Sequence, residues 1–254
     1  MKYLSIIITV CFFLSCKNES STTLLTANEI INKSIEVSGG KRFSNSVIRF
    51  NFRKAYYVAR RERNNFSLLR MAKVDNDSVF DLLTNEGFQR FIYQKDVKLE
   101  DSTVKKYSAS VNSVHYFSVL PYGLNDKAVN KTLLGEEYIK GKAYHKIKVT
   151  FDEKGGGEDF EDVFVYWIDK QSYKVHYLAY SYNEDDGKGL RFREAYNERY
   201  INGLRFVDYN NFKPEVASIE LIELGKAFEA NKLILLSKIE LEGVEVDLIN
   251  NQNL

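Results

Sequence analysis

Cysteine, proline and histidine are all scarce in this 254-residue chain, which has 2 Cys, 2 Pro and 3 His. Both cysteines, Cys11 and Cys16, fall within the first sixteen residues. The rest of the chain therefore has no thiol to form a disulfide, and packing must hold it. The histidines, His115, His145 and His176, sit in separate segments with no H-x-H, H-E-x-x-H or cysteine neighbour. Tetrahedral metal sites draw on tight ligand pairs, so no metal is expected. Charge of one sign is lacking too. With residues 1–15 removed, loss of Lys2 leaves 35 basic and 35 acidic side chains. A phosphate backbone demands a basic excess, so no nucleic-acid partner is expected.

Catalytic signatures are missing in the same way. No G-x-S-x-G elbow, S-x-x-K or kinase-type set occurs. Gly155-Gly156-Gly157 precedes acids and a strand, whereas a phosphate cradle needs a helix N-terminus behind it. Glu158, Asp159, Glu161 and Asp162 lack the spacing of a calcium loop and read as a solvated charged loop. We assign no catalytic residue and expect no cofactor. A lysine-dependent lyase or aldolase, or a glycan-active enzyme, leaves no local signature and stands as the less favoured alternative.

What is present begins at the N-terminus with MKYLSIIITVCFFLSC. Lys2 is followed by an apolar run from Tyr3 to Leu14, about 12 residues long. Spanning a bilayer takes roughly 20, so the run reads as a signal-peptide core. FLSC resembles a bacterial lipobox, in which cleavage falls before an acylated cysteine. That resemblance makes residues 1–15 a lipoprotein signal peptide, Cys16 the lipidated first residue, and residues 16–25 the anchor and its polar linker. Each acyl CH₂ buried in a membrane contributes about 0.8 kcal/mol, so two or three chains form a durable tether. The expected location is the cell envelope, at the outer membrane and facing the periplasm.

After the linker, Thr26 and Glu29 have capping-box spacing, and Ala27, Ile30, Ile31 and Ile35 recur at helical intervals until Gly39-Gly40. The period then switches to two: Ile48, Phe50 and Phe52 share a face. Short strands follow, separated by Asn, Asp and Gly turns, which only antiparallel pairing accommodates. The 17 Tyr and 17 Phe favour the same architecture. Residues 102–119 interrupt the strands, with Val104, Tyr107, Val111, Val114 and Phe117 near helical spacing, before Pro121 and Gly123 end the segment. Strands then resume. Residues 215–226 have room for a helical turn or two, and KLILLSKIELEGVEV reads as one long closing strand.

The expectation is a mainly β (α+β) fold over residues 26–254 as a single domain. It would be one strongly curved antiparallel sheet of about ten or eleven strands. The sheet would form an open half-barrel with one or two amphipathic helices as lid or plug.

Three runs carry a wider resemblance: SVHYFSVLPYGLND, KVTFDEKGGGEDFEDVFVYWID and YLAYSYNEDDGKGLRFREAYNERYINGLRF. They resemble an uncharacterised family of Bacteroidetes lipoproteins. The strand order, with its inserted helix and YW-x-D strand, is similar in pattern to the outer-membrane lipoprotein-sorting proteins of the LolA/LolB type. That resemblance implies an apolar cavity for a lipid or a lipoprotein acyl chain, in a protein that is expected to be monomeric. Candidate cavity and lid residues are Tyr107, Val111, Val114, Phe117, Leu120, Tyr122, Tyr166, Trp167 and Tyr180. Arg191 and Arg193, two apart on one strand, are the candidates for holding a head group. Rings fall on both faces of the Tyr166–Tyr182 region, so either both faces are covered or one lines a cavity. A structural or interaction module without a cavity is the alternative reading.

Overall fold

The computed structural model describes residues 24–75, 77–184 and 187–249; the expected signal peptide and Cys16 lie outside them. Helix α1 (Ala27–Ser38) begins at the expected capping box. The Glu29 amide donates to Thr26 Oγ1 at 3.2 Å, and the Thr26 amide donates back to Glu29 at 2.8 Å. Satisfying these N-terminal donors is what fixes the helix start. Gly39, at φ 136°, ends it. Its missing Cβ matters: one added there would stand 2.5 Å from Leu204.

Six strands follow: β1 (Ser46–Phe52), β2 (Ala55–Glu62), β3 (Asn65–Val74), β4 (Asp77–Thr84), β5 (Gly87–Ile92) and β6 (Lys95–Asp96). Helix α2 (Asp101–Ser118) then leads to β7 (Val129–Ile139), β8 (Lys142–Phe151), β9 (Val163–Asp169) and β10 (Val175–Glu184). The chain closes with β11 (Gly187–Ile201), β12 (Leu204–Pro214), a short helix α3 (Leu224–Glu229), β13 (Leu233–Ile239) and β14 (Glu242–Leu248). Among the described residues no helix is long and apolar enough to cross a membrane.

The expected single sheet is in fact two. One runs β14-β1-β2-β3-β4-β5-β6 and the other β13-β12-β11-β10-β9-β8-β7, seven strands each, and neither closes into a barrel. Three differences separate the observed strands from the expected ones, the first removing a strand and the other two each adding one. AVNKTLL and EEYI are one strand, bent where the register shifts between Leu133 and Gly135. Lys95–Asp96 adds a two-residue strand. The long closing segment is split: β13 pairs with β12 in one sheet and β14 pairs with β1 in the other. Only Glu240 and Leu241 separate the halves, so one stretch of chain edges both sheets.

Helix α2 lies between the sheets. Val111 and Val119 enter a core with Ile48, Phe50, Tyr57, Leu68 and Phe206. Leu120 and Leu124, just past the helix, enter a second core with Ile147, Phe164, Tyr166, Leu178 and Tyr209, and Ile30 and Ile31 of α1 join it. Charge holds the helix as well. Buried Asp81 on β4 accepts from Arg70 at 2.6 and 3.0 Å and from Arg90 at 2.6 and 3.0 Å. Arg70 donates on to Ser110 of α2 at 2.7 Å, and the Arg90 guanidinium stacks 3.6 Å from the Tyr107 ring. Two arginines thus share one carboxylate, which offsets its desolvation, and both reach the helix. The helix expected as lid or plug is thus packed between the sheets, with Val111 and His115 fully buried.

The question of rings on two faces has a direct answer. Along β9, Phe164, Tyr166 and Ile168 face α1 and α2, whereas Val165 and Trp167 face the opposite way. There the turn around Leu221 and α3 cover them, with Leu224 and Phe228 packing on Tyr177, Phe192 and Trp167. At β9 both faces of the sheet are therefore core, and each fully buried large side chain contributes roughly 1.5–3 kcal/mol. The second face also buries an ion pair: Lys146 donates to Glu137 at 2.6 Å, and the Trp167 indole N–H donates to the same carboxylate at 3.2 Å. Gly225 permits that approach, since a Cβ there would stand 2.1 Å from Glu137 Oε1. Every residue of the three cores lies between Leu25 and Val246.

Candidate functional site

A cavity of about 520 Å³ opens beside α2, at the seam where β13 passes into β14. Its apolar wall combines Phe52 at the end of β1, Val114 and Phe117 on α2, Tyr180 on β10, and Val207 and Tyr209 on β12. Ile239 and Leu241 of the closing segment complete that wall. These residues come from strands whose inward positions are set by alternation and from one helical face. No contiguous run of sequence supplies them.

Arg193 of β11 also lines the cavity, although only 7 % of it is exposed. Its guanidinium lies 3.8 Å from the Phe117 ring centre, 5.0 Å from Tyr180 and 5.9 Å from Tyr209. One terminal nitrogen donates to Tyr180 Oη at 2.8 Å. Among the described residues, no carboxylate stands within ion-pair distance, and the buried Nε has no acceptor. Directly across the strand pair, Asn211 is register partner to Arg193. Its amide nitrogen donates to Ser237 at 3.2 Å, and its buried Oδ1 is likewise unpartnered. Stacking on rings stabilises the cation's face, but an open in-plane donor in a dry site costs on the order of 1–3 kcal/mol. Two other arginines are engaged, Arg90 by Asp81 and Arg205 by Glu198 at 2.7 Å, whereas Arg61 likewise keeps a buried Nη1 without a hydrogen-bond partner.

The other charged lining is acidic. Glu158, Asp159, Glu161 and Asp162, in the loop between β8 and β9, form part of the cavity wall, and Arg53 stands at the β1–β2 turn. Glu161 accepts from Asn183 at 2.8 Å, and Glu158 lies 4.0 Å from Lys105. Partial burial, then Asp159 and Glu161, push the Asp162 carboxyl up to about 7. Asp159 is raised by burial and by Glu158.

Of the residues singled out in the sequence, Val114, Phe117, Tyr180 and Arg193 meet at this cavity. Val111, Leu120 and Tyr166 are buried in the cores. Tyr122 stacks on Phe43 at 5.1 Å, and Tyr107 stacks under Arg90. Trp167 is on the far face of its sheet, against Glu137. Arg191 stands over the Tyr182 ring at 5.0 Å. Sequence reasoning did not select Phe52, Val207, Tyr209, Asn211, Ile239 or Leu241, which reach the cavity through pairings distant in the chain. Among the described residues no group of histidines, cysteines and carboxylates could hold a metal ion.

Fold and site together describe a mainly β protein of two sheets, plugged by a helix, with a ring-lined cavity at their seam. Residues 2–241 match the family of unknown function DUF6503, and the chain belongs to that family. No curated protein matches it. Among solved structures it is similar to a LolA superfamily protein from Nitrosomonas europaea. That match has 12% identity and a TM-score of 0.48, covering 90% of this chain and 95% of that one. It is also similar to a DUF1329 family protein from Desulfovibrio piger, at 11% identity, TM-score 0.49 and coverage of 87% and 93%. A third is the lipoprotein LppX of Mycobacterium tuberculosis, at 14% identity, TM-score 0.28 and coverage of 61% and 86%. The resemblance to LolA-type proteins read from the strand order recurs in the first of these.

Proposed function

We propose that this protein is a lipid-anchored component of the cell envelope that binds an amphiphile, a lipid or a lipoprotein acyl chain, in the cavity beside α2. The observation that carries the reading is the pairing of an apolar, aromatic wall with a buried arginine that has an open donor. A volume of about 520 Å³ falls within the roughly 300–1,000 Å³ of small-molecule sites. Binding needs no chemistry. The rings and aliphatic side chains remove an acyl chain from water, and Arg193 receives a polar group of the ligand. Cys16, acylated, would keep the site at the membrane surface, with residues 17–25 as leash.

Because all three cores lie within residues 25–246, the mature chain with Cys16→Ser is a suitable soluble form. Native mass spectrometry and titration with a fluorescent fatty acid test the proposal. One ligand per chain is expected, with binding weakened at least tenfold by Phe117→Asp. An unliganded protein that leaves the fluorescent fatty acid unbound overturns it.

A further inference from the structure

We infer that the amphiphile carries a zwitterionic head, its anionic group set against Arg193 and Asn211 and its ammonium group against Asp159 and Asp162. This deepens the binding reading above and rests on it.

The first observation is the inner cation. Arg193 is more than nine-tenths buried, is stacked among three rings, and keeps its Nε open. Asn211 beside it presents a second buried, unpartnered polar atom. A phosphate or carboxylate oxygen meets that need, because a charge-assisted hydrogen bond in a low-dielectric site is about twice as strong as a neutral one.

The second observation is the outer wall. Four carboxylates from the β8–β9 loop line the same cavity, whereas the only other cation among its described lining residues is Arg53 at the opposite turn. Glu158 and Glu161 have partners in Lys105 and Asn183. Asp159 and Asp162 have no cation within 4 Å among the described residues, and burial first, then the neighbouring carboxylates, raises both. A purely anionic head at Arg193 would leave this acidic wall facing a second negative charge. A purely cationic ligand would leave Arg193 unanswered. One ligand bearing both charges answers both.

Spacing permits it. Val163, next to Asp162, pairs with Ser181, and Ser181 pairs with Leu190, three residues from Arg193 on β11. Two strand spacings and, with the step from Val163 to Asp162, four residues of rise put the Cα atoms on the order of 16 Å apart, before the side chains reach into the cavity. A compact two-charge head fits such a gap, with the acyl chain along Phe52, Val207 and Leu241.

Displacement of the fluorescent fatty acid by three oleoyl probes distinguishes the possibilities: lysophosphatidylethanolamine, lysophosphatidic acid and oleate. The expected order puts the ethanolamine lipid about tenfold ahead of lysophosphatidic acid. The double variant Asp159→Asn/Asp162→Asn, which keeps the loop's shape, should abolish that preference, and Arg193→Met should weaken both lipids. Equal or tighter binding of lysophosphatidic acid to the wild type overturns the inference while leaving the cavity's function standing. A preference that survives the double variant does the same. Failure of all three probes removes the amphiphile reading itself.

Discussion

Acid should expose His115. Its ring is fully buried on α2, edge-on to Phe50 and Tyr57 at 5.9 and 5.4 Å. Nε2 donates to the Leu69 carbonyl at 3.2 Å, and buried Nδ1 has no partner. Burial foremost, then the Arg61 charge, lowers its pKa from 6.5 to about 3, with Arg70 adding slightly and the Leu69 carbonyl opposing. In the folded protein the ring is therefore neutral, while in the unfolded chain it takes up a proton below pH 6.5. The stability this residue contributes is complete above pH 6.5 and drains as pH falls toward 3. At about 1.4 kcal/mol per pH unit, the loss is about 2 kcal/mol by pH 5 and about 3 kcal/mol by pH 4. His145 and His176 are lowered too and share the sign, so a reference is needed. His115→Gln supplies it, keeping a donor for Leu69 without titrating. Urea unfolding followed by circular dichroism at pH 8, 6 and 5 should show the wild type losing about 2 kcal/mol more than the variant. Parallel pH profiles would refute the reasoning, for they would mean that His115 is protonated in the folded state.

Two substitutions probe the parts that frame the site. Asp81→Ala leaves Arg70 and Arg90 facing each other without their shared carboxylate, and should cost about 3–5 kcal/mol in urea unfolding. Gly225→Leu drives a side chain at Glu137 and Trp167, and should cost about 1–3 kcal/mol. It should also shift the emission of Trp167, the only tryptophan of the chain, to the red as α3 lifts. An unchanged spectrum would mean that α3 does not seal that face.

Local chemistry was legible in the sequence and partner choice was not. The capping box at Thr26, the shared face of Ile48, Phe50 and Phe52, the helix over residues 102–119 and the Asn, Asp and Gly turns between strands all depend on neighbours a few residues away. The closing segment shows the limit. Leu233–Ile239 and Glu242–Leu248 are both strands, as their composition indicates, but nothing in the side-chain pattern marks the change of partner between them. The second cover, α3, is six residues long, and its role depends on a glycine admitting Trp167, a fit that spacing alone cannot reveal. Arg191 and Arg193 are indistinguishable by alternation. Only the register, with Asn211 opposite Arg193, separates them.

The break at Glu240 and Leu241 has a mechanical meaning. A barrel closed by continuous hydrogen bonding has a fixed girth, but here two separately bonded halves are stitched along one border by a single stretch of backbone. The residues on either side of the stitch, Ile239 and Leu241, are cavity wall. Strand pairing therefore does not set the width of the pocket at that border; the shared core, in which Leu204 and Phe206 of one half pack with Ile48 and Phe50 of the other, does.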